Sequence, residues 1–371
     1  MCPHMCVTKG EAMQSIAGAK ADLAEVMRRA TGERAIPGIV IAVGESGRTL
    51  YLGHDGWAQT VPERRPLGLD TVFDLASLTK VVATTTLAMM AFDVGALEFE
   101  APIGRYLTEF SGREAGEATV RQLMRHTAGF IWWRPYYRQC SSREEVLRAI
   151  YAEDLVTPPG TNRRYSDLSY ILLGEIVSRL AERPLDQLSR ERVFEALGMS
   201  ETVFNPTGDL RERCAATELD GETGEPIRGI VHDENARAMG GVSGHAGLFS
   251  TAYDLTKFAR CLLRRGAPLI TETAFSTMMT KEEDEEGARW LGWVANSKSG
   301  ALSEIFGPRA FGHTGFTGTS MWMDPDEDAF IIVLTNGVHP KRRDDDAVMQ
   351  TRFESYRAGL SLVRAYRAEG L

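Results

Sequence analysis

Residues 70–80 read DTVFDLASLTK. The β-prone pair Val72-Phe73 gives way to a helical run from Thr79, so Ser77 sits where extended chain meets helix. Ser77-Leu78-Thr79-Lys80 is the only Ser-x-x-Lys in the chain. Residues three apart on a helix share a face, which lets Lys80 reach Ser77. A helix N-terminus at that point favours the negative charge that develops on an attacking oxygen and on the intermediate it forms. A serine hydroxyl is a poor nucleophile at neutral pH and needs a nearby base and a site for the oxyanion. Alone the tetrapeptide is weak, because ordinary residue frequencies give roughly one by chance in a chain of this length. The bland alternative is a helix cap followed by a surface lysine.

Upstream, Met13, Ile16, Leu23 and Met27 recur at helical spacing and predict an amphipathic helix from Glu11 to Arg29. Gly38–Gly44 (GIVIAVG) and Arg48–Gly53 (RTLYLG) predict two strands joined by Glu45-Ser46-Gly47. Downstream, helical patterning runs from Thr79 to about Glu182, broken by the aromatic loop Phe130–Tyr137 and the turn Thr157-Pro158-Pro159-Gly160. Leu168, Leu172, Ile176 and Leu180 predict a buried helix ending near Glu182, just before Pro184. Thr251-Ala-Tyr-Asp254 predicts a capping box for a helix carrying Leu255, Phe258 and Leu262. The acidic run Glu282–Glu286 reads as a solvated loop. Thr319–Met323 and Ala329–Thr335 predict a second hairpin, closed by Asn336-Gly337 and followed by a helix from Asp344 to about Ala368. The order implies an α+β fold: one antiparallel sheet assembled from both chain ends and flanked by N- and C-terminal helices. In that reading residues 1–78 and 236–371 form the sheet region, residues 79–235 a mainly helical insert, and the active site lies between them.

The 371 residues are 43% hydrophobic, as for a globular core, and 42 basic against 51 acidic residues give a net charge of −9. That balance disfavours nucleic acid and anionic membranes as partners. Five scattered cysteines suggest neither a disulfide framework nor a Cys-x-x-Cys metal site. The charged first thirty residues lack a secretory h-region, and Val81–Phe92 is too short and too threonine-rich to cross a bilayer, so the chain reads as cytoplasmic without membrane insertion. There is no Gly-x-Ser-x-Gly elbow, and Gly240–Gly247 lacks the Gly-Lys-Ser/Thr ending of a phosphate loop, so it reads as a close-packed turn. His232, Asp233, Glu234 and His245 match no familiar ligand spacing. No metal or cofactor is expected, and oligomeric state is not legible.

Two further stretches converge on the Ser77 chemistry. Tyr165-Ser166-Asp167 opens the buried helix, and Phe311-Gly-His-Thr-Gly-Phe-Thr-Gly318 precedes a strand, its glycines allowing close approach to the backbone. With these motifs in this order, and with Leu123–Gly129 and Gly247–Thr251, the chain resembles the serine β-lactamase and penicillin-binding family, in its class C-like branch of β-lactamases, D,D-carboxypeptidases and esterases. The resemblance covers most of the chain. It implies a β-lactamase/transpeptidase-like fold with Ser77 as nucleophile, Lys80 holding or relaying its proton and Tyr165 as general base. It also implies an oxyanion hole made by the amides of Ser77 and Phe316.

Asp167, His313, Thr314 and Gly315 are then expected to contact substrate, as are Trp132 and Trp133 of the aromatic loop; His126 is expected to pack. Two residues depart from the family pattern. His313 stands where many lactamases have lysine, and Asp167 stands where asparagine is usual. A neutral imidazole offers no fixed cation to a substrate carboxylate, and an ionised Asp167 can only accept, which suits it to pairing with Lys80. The expected activity is hydrolysis of small esters through an acyl-serine. A D,D-carboxypeptidase or class C-like β-lactamase acting on amides is the alternative, and a non-turnover penicillin-binding sensor or scaffold is the alternative of another class. Protonation of His313 between pH 6 and 9 is expected to help anionic substrates.

Overall fold

A run such as GIVIAVG, apolar or small throughout, leaves neither face of a strand suited to water, so both must be covered. The computed structural model describes residues 14–284, 287–296, 301–343 and 346–371, and every residue of that run is buried. It forms β1 (Gly38–Gly44), paired with β2 (Thr49–Gln59), which in turn pairs with β3 (Arg65–Pro66). The later strands are β4 (Glu282–Asp284), β5 (Gly287–Arg289), β6 (Val294–Ala295), β7 (Phe311–Thr314), β8 (Ser320–Asp324) and β9 (Ala329–Thr335). The sheet order is β3-β2-β1-β9-β8-β7-β6-β5-β4. β1 pairs antiparallel with β9, Ile39 opposite Thr335, so the two chain ends meet at the centre of the sheet.

Alternation then sorts the side chains. Ile39, Ile41, Val43, Ile331 and Val333 join helices α1 (Ile16–Thr31) and α5 (Ala347–Ala368) on one face. Val40, Ala42, Ile332 and Leu334 point the other way, into a cluster shared with α4 (Ala252–Leu263) and the helical segment. That segment contains α2 (Thr86–Asp93) and α3 (Asp167–Ala181).

Several expectations need correction. α1 starts at Ile16, capped by the Ser15 hydroxyl, and residues Glu11 to Met13 lie outside the described residues. Glu282–Asp284 is an edge strand rather than a loop, with Arg289 opposite Glu282. Glu285 and Glu286 lie outside the described residues. Leu180 is 36% exposed. Steps of four on a 3.6-residue helix advance about 40° each, so three steps carry Leu180 off the face of Leu168. At α4, Thr251 caps the Asp254 amide, but the Asp254 carboxylate turns to the Glu201 amide at 2.7 Å, so the box is half made. α5 begins at Ala347, later than expected, and residues 344–345 lie outside the description. Among the described residues no helix is long and apolar enough to cross a membrane.

Candidate active site

The helix expected to start at Ser77 is instead a 3₁₀ turn (Ala76–Leu78) followed by a π-helical turn (Lys80–Thr85) before α2. Such irregular turns recur at functional sites. Ala76 has φ 46°, an uncommon conformation for a residue with a Cβ. It is held there by the buried Asp74 carboxylate, which accepts from the amides of Ala76 (2.8 Å) and His232 (2.6 Å). From the other side, Thr317 Oγ1 donates to the Asp74 carbonyl (2.8 Å) and Thr319 Oγ1 to that of Leu75 (3.1 Å). The segment after β7 is thereby fastened directly to the turn that presents Ser77. Gly315 has to be glycine, because a Cβ there would lie 2.4 Å from the Leu75 carbonyl oxygen.

Lys80 is fully buried, and its ammonium uses all three protons. Nζ donates to Ser77 Oγ (3.0 Å) and to the His245 carbonyl (3.0 Å), and lies 2.7 Å from Asp167 Oδ1. Burial alone would lower its pKa, but the Asp167 carboxylate outweighs that and holds it above the usual lysine range. Lys80 therefore stays a cation. Tyr165 stands at the entrance to α3, whose first turn is capped by Ser166, and its hydroxyl lies 2.9 Å from Ser77 Oγ. His126, in a left-handed conformation at the end of helix Val120–Arg125, accepts the Ser166 amide on Nδ1 (3.1 Å). Its ring packs 4.6 Å from that of Tyr165. Ser77, Lys80 and Tyr165 thus meet around one oxygen.

Residues 23–352 match the family model described as Beta-lactamase. The chain belongs to the β-lactamase family. It is 33% identical over 303 residues to a putative D-alanyl-D-alanine carboxypeptidase of Escherichia coli K12, covering 72% of this chain and 70% of that one. It is 31% identical over 345 residues to an N-acetylmuramyl-L-alanine amidase of Bacillus subtilis 168, covering 82% and 78%. Among solved structures it is similar to EstCE1, a hydrolase with promiscuous acyltransferase activity, at a TM-score of 0.75 and 23% identity over 92% of this chain and 99% of that one. A class C β-lactamase superposes with a TM-score of 0.74 at 19% identity, over 91% and 95%. The fold is therefore β-lactamase/transpeptidase-like, as expected, and the protein is a hydrolase of that family.

In this β-lactamase-family chain, His313 behaves differently from the expectation. His313 is 3% exposed, and its Nδ1 lies 2.8 Å from the Thr314 carbonyl, so Nδ1 carries the proton and donates. Burial, with Arg289 and Lys80 nearby, lowers its pKa to about 3. It is neutral throughout pH 6–9, and the expected gain from protonating it in that range does not arise. The consequence for stability has a definite sign. Between pH ~6.5, where an unfolded histidine titrates, and about pH 3, the unfolded chain carries a proton that folded His313 refuses. Stability therefore falls as pH drops through that window and does not depend on this group above it. In urea unfolding at pH 7 and pH 5, His313→Gln is expected to shrink the loss on acidification by about 2 kcal/mol. An unchanged pH dependence would refute the assignment.

The site opens into two lobes that share Ser77, Tyr165, Phe316 and Arg342. One, of about 620 Å³, is bounded by His313, Thr314 and Gly315 and also by Arg289, Arg343 and Arg352. Among its described lining residues there is no carboxylate. The expectation of a site without a fixed cation left out the arginines from β5, the segment after β9 and α5 that line the cleft, of which Arg342 is paired with Glu218 and Glu234. Sequence reading missed them because four scattered arginines carry no motif. Arg352 also braces the segment after β7, donating to the carbonyls of Gly315 (2.9 Å) and Thr319 (2.8 Å).

The second lobe, about 320 Å³, takes in Trp132, Trp133 and Asp167. Tyr136 is buried away from it, with its hydroxyl on Glu153 at 2.9 Å. Beneath this lobe Asp167, Asp233 and His245 place ligand atoms within 4.8 Å of one another. A metal would compete there with the Lys80 ammonium already on Asp167, while Asp233 holds the His245 ring at 2.9 Å and caps Ala236 at 2.7 Å. Of the three side chains, that of Asp167 is the one bonded to the lysine.

Proposed function

We propose that this hydrolase cleaves small amides through an acyl-serine, and that the amine it releases bears a carboxylate, as alanine or an alanine-headed peptide does. The observation supporting this is the arginine-lined lobe opening onto Ser77. The names of two relatives, a D-alanyl-D-alanine carboxypeptidase and an N-acetylmuramyl-L-alanine amidase, both describe a bond to the nitrogen of an alanine. In the proposed reaction Ser77 Oγ attacks the carbonyl carbon. Lys80, already an ammonium, has no lone pair to accept the Oγ proton, so Tyr165 takes it while passing its own proton to the departing nitrogen. The C–N bond breaks, the amine leaves, and an ester to Ser77 remains. Water then attacks, giving a proton to Tyr165 as Tyr165 returns one to Ser77 Oγ. The amides of Ser77 and Phe316 would receive the oxyanion, each worth ~3 kcal/mol of barrier.

The test compares kcat/KM for N-acetylmuramyl-L-alanine and for an acyl-D-alanyl-D-alanine with the corresponding C-terminal carboxamides. The free acid of at least one pair is expected to be favoured about tenfold or more, and Arg289→Ala to erode that preference. Equal rates on acid and carboxamide would remove this reading. A second reading, the esterase expected from sequence, is favoured by the neutral His313 and by Asp167, which offers no amide donor to an acyl side chain. It gains if p-nitrophenyl acetate is hydrolysed efficiently while every alanine amide, and nitrocefin, is ignored.

A further inference from the structure

The second lobe differs in chemistry from the first. Trp132 is 50% exposed, and its ring stacks with that of Trp133 at 5.7 Å and 29°. Its backbone is fixed: the Trp132 carbonyl accepts the Asp167 amide (3.0 Å), and the neighbouring Ile131 carbonyl accepts the Ser166 hydroxyl (2.9 Å). Phe316, 61% exposed, stacks on the His232 ring at 5.7 Å and 24°, with the Arg342 guanidinium 5.2 Å from its centroid. Between these aromatic faces the lining includes the acids Asp233 and Glu234, the latter paired to Arg342 at 2.8 Å.

Exposed aromatic rings on an anchored backbone, beside the nucleophile, are a platform for a flat ligand face. Acids on the same wall are unsuited to a hydrocarbon acyl chain, which would strip them of water without replacing the hydrogen bonds. A pyranose satisfies both demands, laying its C–H face on an indole and offering hydroxyls at its edge to carboxylate acceptors. A volume of about 320 Å³ lies at the small end of ligand sites, of a size for one ring rather than a chain of them.

We propose that this lobe binds a sugar ring carried by the acyl part of the substrate, stacked on Trp132. The proposal rests on the amidase reading for its place in the reaction, but its binding test does not. Three amides sharing L-alanine as leaving group decide the specificity: N-acetylmuramyl-L-alanine, 2-methoxypropanoyl-L-alanine and phenylacetyl-L-alanine. The sugar-bearing amide is expected to lead in kcat/KM by about tenfold or more; Trp132→Ala should bring the ratios close to one and Trp132→Tyr should restore them. A lead for either sugar-free amide overturns the proposal. Calorimetric titration of methyl N-acetyl-β-D-glucosaminide, which has no carboxylate for the arginine lobe, into Ser77→Ala protein decides binding separately. Millimolar binding that disappears when Trp132→Ala is added supports the proposal even if no amide is cleaved, in which case only the amidase reading fails. No binding overturns it even if alanine amides are good substrates.

Discussion

Ser77→Ala is expected to abolish labelling by a fluorophosphonate and to lower turnover by at least ~10⁴-fold on any substrate the protein accepts. The argument is geometric. Ser77 Oγ is the common contact of the Lys80 ammonium and the Tyr165 hydroxyl, at 3.0 and 2.9 Å, and it lies where both lobes meet. Ser243 also has a histidine and a carboxylate in line, through His245 and Asp233, but it is 0% exposed and out of reach of substrate. Intact-mass spectrometry before and after labelling reads the outcome. One adduct on wild-type protein and none on Ser77→Ala is the expected pattern, whereas a label that persists in the variant would remove Ser77 from its role.

Tyr165→Phe and Lys80→Ala are each expected to reduce turnover by at least ~100-fold, yet they should part company in stability. Tyr165→Phe removes one oxygen and leaves the ring against His126. Its melting temperature should stay near that of the wild type. Lys80→Ala strips the partner from Asp167, leaves the His245 carbonyl without its donor and opens a cavity in the core. Breaking a buried ion pair from one side costs ~3–5 kcal/mol, so this variant should melt well below the others. A sequence reading takes Lys80 for proton-transfer equipment alone, and burial shows why its loss must be felt by the fold as well. Removing both partners, Lys80→Met with Asp167→Leu, should recover stability without recovering activity. If Lys80→Ala melts like the wild type, the buried pair is not as described; if Tyr165→Phe keeps its rate, the proton path runs elsewhere.

What could be read from the sequence was whatever is local or repeats with a period. The strand Gly38–Gly44, the helix entered at Ser166 and the three-residue step from Ser77 to Lys80 depend on neighbours in the chain. The short strands Phe73–Asp74, Leu248–Ser250 and Val203–Phe204, which form a separate small sheet, are too brief to show any alternation. The cationic lobe and the His245 carbonyl on Lys80 were invisible for a different reason: they arise only when segments far apart are folded together. Gly244 belongs with these. It read as part of a turn, and the structure shows why it lacks a side chain, since a Cβ there would stand 2.1 Å from the Tyr170 carbonyl oxygen in α3.

The pairing of β1 with β9 also sets a clock on biosynthesis. Ile39 finds its partner Thr335 only after ~300 further residues have been added, which at ~5–20 residues per second takes roughly 15–60 s. During that interval one edge of the fully buried strand β1 has no permanent neighbour, and the turn presenting Ser77 lacks the Thr317 and Thr319 hydroxyls that fasten it. For most of its synthesis a growing chain therefore exposes a strand prone to pairing with the wrong partner.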